Sequence, residues 1–149
     1  MSLAVMMTVF FHAARLAMVV FDPYLSSRVL ADGLLRSPAG ELIVDDPYYE
    51  FSSVLFYSNR SALLLNGRVN NLEYGSYAPG APQVFIDDAA FVRLWLSPER
   101  YYVVTEEPKV ARLEQLVGEP ELHMVVASGG KLLFCNHLAS AARTRVSDH

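Results

Sequence analysis

An α/β fold built on a mostly parallel sheet is predicted by three features of this chain. Short runs rich in β-formers, such as ELIVDD (41–46) and RYYVVTEE (100–107), alternate with longer stretches of helical spacing. Near the C-terminus Gly129-Gly130 divides two apolar runs, the signal of an antiparallel hairpin. At the other end, LAVMMTVFFHAARLAMVVF (3–21) is interrupted only by Thr8, His12 and Arg15, which predicts an apolar N-terminal helix.

The elements follow in order. DPYLSSRVLADGLLR (22–36) reads as a helix, with Val29, Leu30 and Leu34 on one face and Arg28, Asp32 and Arg36 largely away from it. SPAG closes it with Pro and Gly. ELIVDD is a short buried strand, PYYEFSSVLFYSN (47–59) a helix and SALLLNG (61–67) another strand-length apolar run. NGRVNNLEYGSYAPGAP (66–82) is then read as a long loop, followed by a brief strand in QVFID and a helix in DAAFVRLWLS. RYYVVTEE is a strand and PKVARLEQLVG a helix closed by Gly118, before the hairpin of ELHMVVAS and KLLFCNHL. This predicts a Rossmann-like, three-layer arrangement: a mostly parallel sheet flanked by helices, ending in an antiparallel hairpin. The expected organisation is an apolar helix at 1–21, one α/β domain at 22–138 and a polar tail at 139–149.

Composition narrows the function classes. The chain is 52% hydrophobic and 19% charged with a net charge of −4, and its Lys and Arg are scattered, so a nucleic-acid partner is not expected. One cysteine, Cys135, leaves no internal disulfide and no CxxC motif. Segment 3–21 stands at the threshold of about 20 residues for a membrane span. A mid-segment Arg opposes simple insertion by roughly 2.5–3.5 kcal/mol. Neither a basic n-region nor a small-residue cleavage site marks it as a signal peptide. Three readings stay open: the end of a membrane helix, which is favoured; a helix buried in the core or in a homodimer through residues 3–21; or a strand.

Three acidic pairs end predicted strands: Asp45-Asp46, Asp87-Asp88 and Glu106-Glu107. Parallel strands would gather them on the carboxyl edge, where open α/β sheets take ligands, with Asp45, Asp87 and Glu106 as candidate metal ligands. Helix capping explains the same spacing without a ligand and is preferred: Asp46 and Asp88 suit N-caps, and Pro47 and Pro108 suit first helical positions. Cys135 and His137 share a strand face, but a two-residue turn at Gly129-Gly130 would set His123 opposite Asn136, on the other face. A zinc site is therefore not expected, and Cys135 reads as a small buried hydrophobe. His12 reads as a packed helix residue. No GxSxG, GxGxxG or GxxxxGK[ST] occurs.

The order of segments, an apolar helix with FDPYLSSRVLADGLL, then ELIVDDPYYEFSSVLFYSNRSALLLNG, then NNLEYGSYAPGAPQVFID and FVRLW, resembles a known domain. That domain is the C-terminal extracytoplasmic part of bacterial membrane glycosyltransferases of the protein-mannosyltransferase and aminoarabinose-transferase-like superfamily. The resemblance covers about residues 10 to 135. Its most specific parts are LSSRVLADGL, SSVLFYSNRSALLLNGR and NNLEYGSY, none of them a catalytic motif. It implies a parent enzyme that is polytopic, uses a polyprenyl-phosphate sugar and, in some members, a divalent cation. It implies a location at the periplasmic face of the inner membrane, beside the membrane portion of the same polypeptide. The family's catalytic acids lie in loops of that membrane portion and match no position here, so no catalytic residue and no cofactor is assigned to this chain. Asn70, Asn71, Glu73 and Tyr74 become candidates for binding a sugar or lipid phosphate. Against that stands a plainer role, in which Asn and Gly meet turn dihedrals while Tyr74 and Tyr77 pin the loop.

Overall fold

The structure is a computed structural model that describes residues 2–138; the polar tail expected at 139–149 lies outside the described residues. Its elements are α1 (Ser2–Leu25), α2 (Arg28–Arg36), β1 (Glu41–Asp45), α3 (Tyr48–Ser58), β2 (Ala62–Leu65), α4 (Asn70–Ser76) and β3 (Phe85–Ile86). α5 (Asp88–Trp95), β4 (Tyr101–Glu106), α6 (Val110–Val117), β5 (His123–Ser128) and β6 (Lys131–Cys135) complete the chain. Among the described residues the strands form one six-stranded sheet in the order β3-β2-β1-β4-β6-β5. β3, β2, β1 and β4 are parallel; β6 joins β4 antiparallel and pairs with β5 as a hairpin. The predicted fold class is the one observed.

Alternation along the strands sends successive side chains to opposite faces, and each face carries its own core. Leu42, Val44, Tyr102 and Val104 meet Leu30 and Leu34 of α2 and Phe51 and Val54 of α3. Ile43, Val103 and Phe134 meet Phe91 and Trp95 of α5 and Leu113 of α6 on the reverse face. The right-handed crossover rule explains the division: the chain steps outward from β1 to β3, then returns across the sheet to β4, so the helices of the two legs fall on opposite sides. Gly33 lets α2 lie close on β5, because a Cβ there would stand 2.6 Å from Val126 Cγ1. Gly129 and Gly130, with φ of 58° and 74°, make the tight hairpin turn expected of them.

Four local expectations are corrected. The helix predicted over 22–36 is broken at Ser26 and Ser27, so α1 runs on to Leu25 and α2 starts afresh. Ser27 is wholly buried; its N–H donates to Ser53 Oγ (2.9 Å) and its hydroxyl donates to the Glu50 carbonyl (3.0 Å). Such side-chain bonds compete with helix continuation. Second, the 66–82 loop contains α4, a short helix with no buried residue, which only Leu72 anchors against the core. Third, a bulge between Met124 and Val126 changes the hairpin register, so His123 pairs with Cys135 rather than Asn136. Fourth, the caps shift by one: Asp87, not Asp88, caps α5 by accepting the Ala90 N–H (2.7 Å), and α3 begins after Pro47 rather than at it.

Candidate functional site

The carboxyl ends of β1, β2, β3 and β4 form one edge, and a cluster of charged side chains collects there around the buried Asp45. Asp45, the last residue of β1, is 1% exposed and accepts a hydrogen bond from Thr105 Oγ1 at 2.7 Å. Arg112, one turn into the helix after β4, reaches Asp45 and Asp88 at 2.5 Å each. Asn66, just past β2, donates to the same Asp88 oxygen at 2.8 Å. Lys109 pairs with Glu106 at 3.1 Å and donates to the Asp46 carbonyl. Burial pushes the Asp45 carboxyl above the ordinary 3.8, and the Thr105 hydrogen bond and the Arg112 charge offset only part of that rise.

The order β2-β1-β4 reverses direction at β1, which is where open α/β sheets leave a crevice for ligands. Here Arg112 stands in that crevice. Of the candidate metal residues, Asp45 and Glu106 lie on adjacent strands, while Asp87 lies two strands further out, about 10 Å by strand spacing. Arg112 and Lys109 are the charged partners of the first two, and Asp87 is occupied with the α5 cap. Among the described residues no group of three His, Cys, Asp or Glu side chains is placed to hold a metal ion.

The loop candidates sit on this same edge, on α4. Asn71, Glu73 and Tyr74 are exposed, Tyr74 at 81%. Asn70 takes a left-handed φ of 51° and Asn66 one of 54°, so both also answer a backbone requirement. The bulged hairpin gathers Cys135, His123 and His137 around a cavity of about 140 Å³, together with Arg100 and Tyr102. The expectation that these three could not share a face is therefore overturned, yet the polar atoms of Cys135 and His137 are engaged locally. Arg100 donates to Cys135 Sγ (3.4 Å), and His137 Nε2 lies 3.1 Å from the Pro98 and Glu99 carbonyls.

A second polar cluster fixes where the apolar helix leaves the domain. Lys131, almost fully buried, donates to the Glu50 carbonyl (3.0 Å) and Ser27 Oγ (3.3 Å), with the Glu50 carboxylate 3.5 Å away. Glu50 lies in the first turn of α3 and Lys131 pairs with Glu106 at the end of β4. The joint at Ser27, and with it α1, is thus tied to the carboxyl edge. α1 itself is long and apolar enough to cross a membrane over Ser2–Asp22, with mean hydropathy 1.9 and none of that segment buried. Two of its polar interruptions turn inward: Thr8 Oγ1 donates to the Ala4 carbonyl (2.9 Å) and His12 Nδ1 lies 2.8 Å from the Thr8 carbonyl.

No family model and no curated protein matches the sequence. Two crystal structures of ArnT from Cupriavidus metallidurans do match the fold, one bound to undecaprenyl phosphate and one in the apo state. Each has a TM-score of 0.59 at 15% sequence identity. The match covers 74% of this chain and 19% of ArnT in the first, 78% and 20% in the second. The chain has the fold of a part of ArnT. It spans about one fifth of ArnT's length, and at this identity the likeness is one of fold.

Several residues of the carboxyl edge were not singled out by sequence. Lys109 and Arg112 carried a signal, since basic residues within the first two turns after a parallel strand lie near its carboxyl edge. Ser27 and Lys131 carried none, because their partners are distant in sequence.

Proposed function

We propose that this chain is an extracytoplasmic domain of a polytopic bacterial glycosyltransferase that uses a polyprenyl-phosphate-linked sugar. In this reading α1 is the end of a membrane helix, at the extracytoplasmic face of the inner membrane. The domain contributes substrate recognition or assembly, and the catalytic acids and any divalent cation belong to the membrane portion of the parent protein.

One observation carries the reading: an unburied, bilayer-length helix is pinned through Ser27 to the carboxyl edge of the sheet. With α1 in a bilayer, that edge and α4 lie beside the membrane, where a lipid-linked substrate would be presented. The shared fold with ArnT, which binds undecaprenyl phosphate in one of its structures, supports the same placement.

The test uses the intact enzyme. Asn71→Ala with Glu73→Gln is expected to lower sugar transfer severalfold while leaving the protein folded and in the membrane. Unchanged transfer removes α4 from recognition and leaves assembly as the domain's role. A concentration-dependent dimer lost on deleting residues 3–21 would instead make α1 a self-association element.

A further inference from the structure

Outward of the plugged crevice, at the carboxyl ends of β2 and β3, lies a second and open cleft of about 490 Å³. Arg68 and Arg93 both line it, together with Asn66, Phe85, Asp87 and Ala90. Among the described residues the ion pairs fall on Arg112, Lys109 and Lys131, and neither Arg68 nor Arg93 has a carboxylate partner. Asp87 is the acid in the lining, and one of its oxygens already accepts the Ala90 N–H. Two guanidinium charges against one carboxylate leave the cleft at +1 in a chain whose net charge is −4. Arg68 is also held in place from below: its guanidinium sits 5.3 Å from the Phe85 ring centroid and 5.7 Å from that of Tyr77. Stacking of this kind orients the planar fork and leaves its N–H edges free to bind.

From this geometry we infer that the cleft between Arg68 and Arg93 binds a phosphate group. Two guanidinium forks lining one cleft without a carboxylate partner match a tetrahedral oxyanion, which each can grip with paired N–H···O bonds. The position suits it, because ligands of open α/β sheets lie outside the carboxyl ends of the strands. The phosphate can come from a lipid headgroup or from a free phosphate compound. The lipid source rests on the proposed placement of this edge beside the membrane, whereas phosphate binding itself does not.

The experiment uses the full chain in nanodiscs, with inorganic pyrophosphate as the probe and calorimetry as the readout. In neutral phosphatidylcholine discs, pyrophosphate is expected to bind, and Arg68→Gln or Arg93→Gln to weaken it at least tenfold. Arg36→Gln, on the far end of α2, is expected to leave it unchanged. Circular dichroism confirms that each variant is folded. Discs containing phosphatidylglycerol separate the sources: a severalfold loss of apparent pyrophosphate affinity in the native chain that is absent from both arginine variants marks a lipid headgroup as the occupant. Unaltered affinity there marks a free phosphate compound. Absence of pyrophosphate binding in neutral discs, or binding indifferent to both arginines, overturns the inference and leaves the glycosyltransferase reading intact.

Discussion

Helices α1 and α3 are both apolar along most of their length, yet the chain treats them in opposite ways. In α3 the residues Phe51 and Val54, three apart, fall on one face and vanish into the core, each at 0% exposure. In α1 the apolar residues run all the way round, and Val9, Phe10, Phe11 and Met18 remain at least 60% exposed. α3 also carries aromatics on its outer face, with Phe56 80% exposed, but it has one face seated on the sheet, whereas the apolar span of α1 has none. The difference teaches that hydrophobicity alone does not mark what a domain buries. A packing face supplied by the sheet does.

Three substitutions break or sharpen that contrast, in falling order of effect. Phe51→Ala should cost about 3–5 kcal/mol, the range for deleting a buried aromatic ring, and so remove much of the domain's stability. Urea unfolding followed by tyrosine fluorescence measures it, and a loss below about 1 kcal/mol would mean that this face is not the packed one. Val9→Arg should oppose membrane insertion by roughly 2.5–3.5 kcal/mol while leaving the domain's urea midpoint where it was. Alkaline extraction of membranes reads the first quantity; an extraction profile like that of the native chain would show that lipid does not cover α1.

The smallest effect concerns a charge that the domain covers with its own side chains. Because burial raises the folded carboxyl of Asp45 above 3.8, the folded chain holds a proton there that the unfolded chain releases. Stability linked to Asp45 is therefore fully present below that ordinary value and is lost as pH rises through the raised one. Relative to Asp45→Asn, the native protein should lose melting temperature over this interval and then run parallel to the variant. The opposite slope would show that the Arg112 pair outweighs burial.

Much of this was legible because it is local. Alternation within ELIVD and YYVVTE announced two-sided strands, Gly129-Gly130 announced the hairpin, and the acid pairs did arrive at the carboxyl edge. What escaped was set by partners far along the chain. Ser27 breaks the helix because Ser53 and Glu50 offer it better bonds, and nothing in LSSRVL reveals them. The bulge at Val125 is one residue of slack in an edge strand, and it moved His123 to the face of Cys135. α4 hid in a run whose Asn and Gly residues argue for turns. Arg112 filled a crevice that strand order alone would have left empty.

The same kink at Val125 bears on how copies of this protein behave when crowded. The sheet has two rims, and both are poor templates: β3 contributes only Phe85 and Ile86, and β5 is bent out of line midway. A neighbour seeking to extend the ladder finds no long, straight row of amides on either side. Protein confined at high density can therefore collide repeatedly without zipping into fibrils.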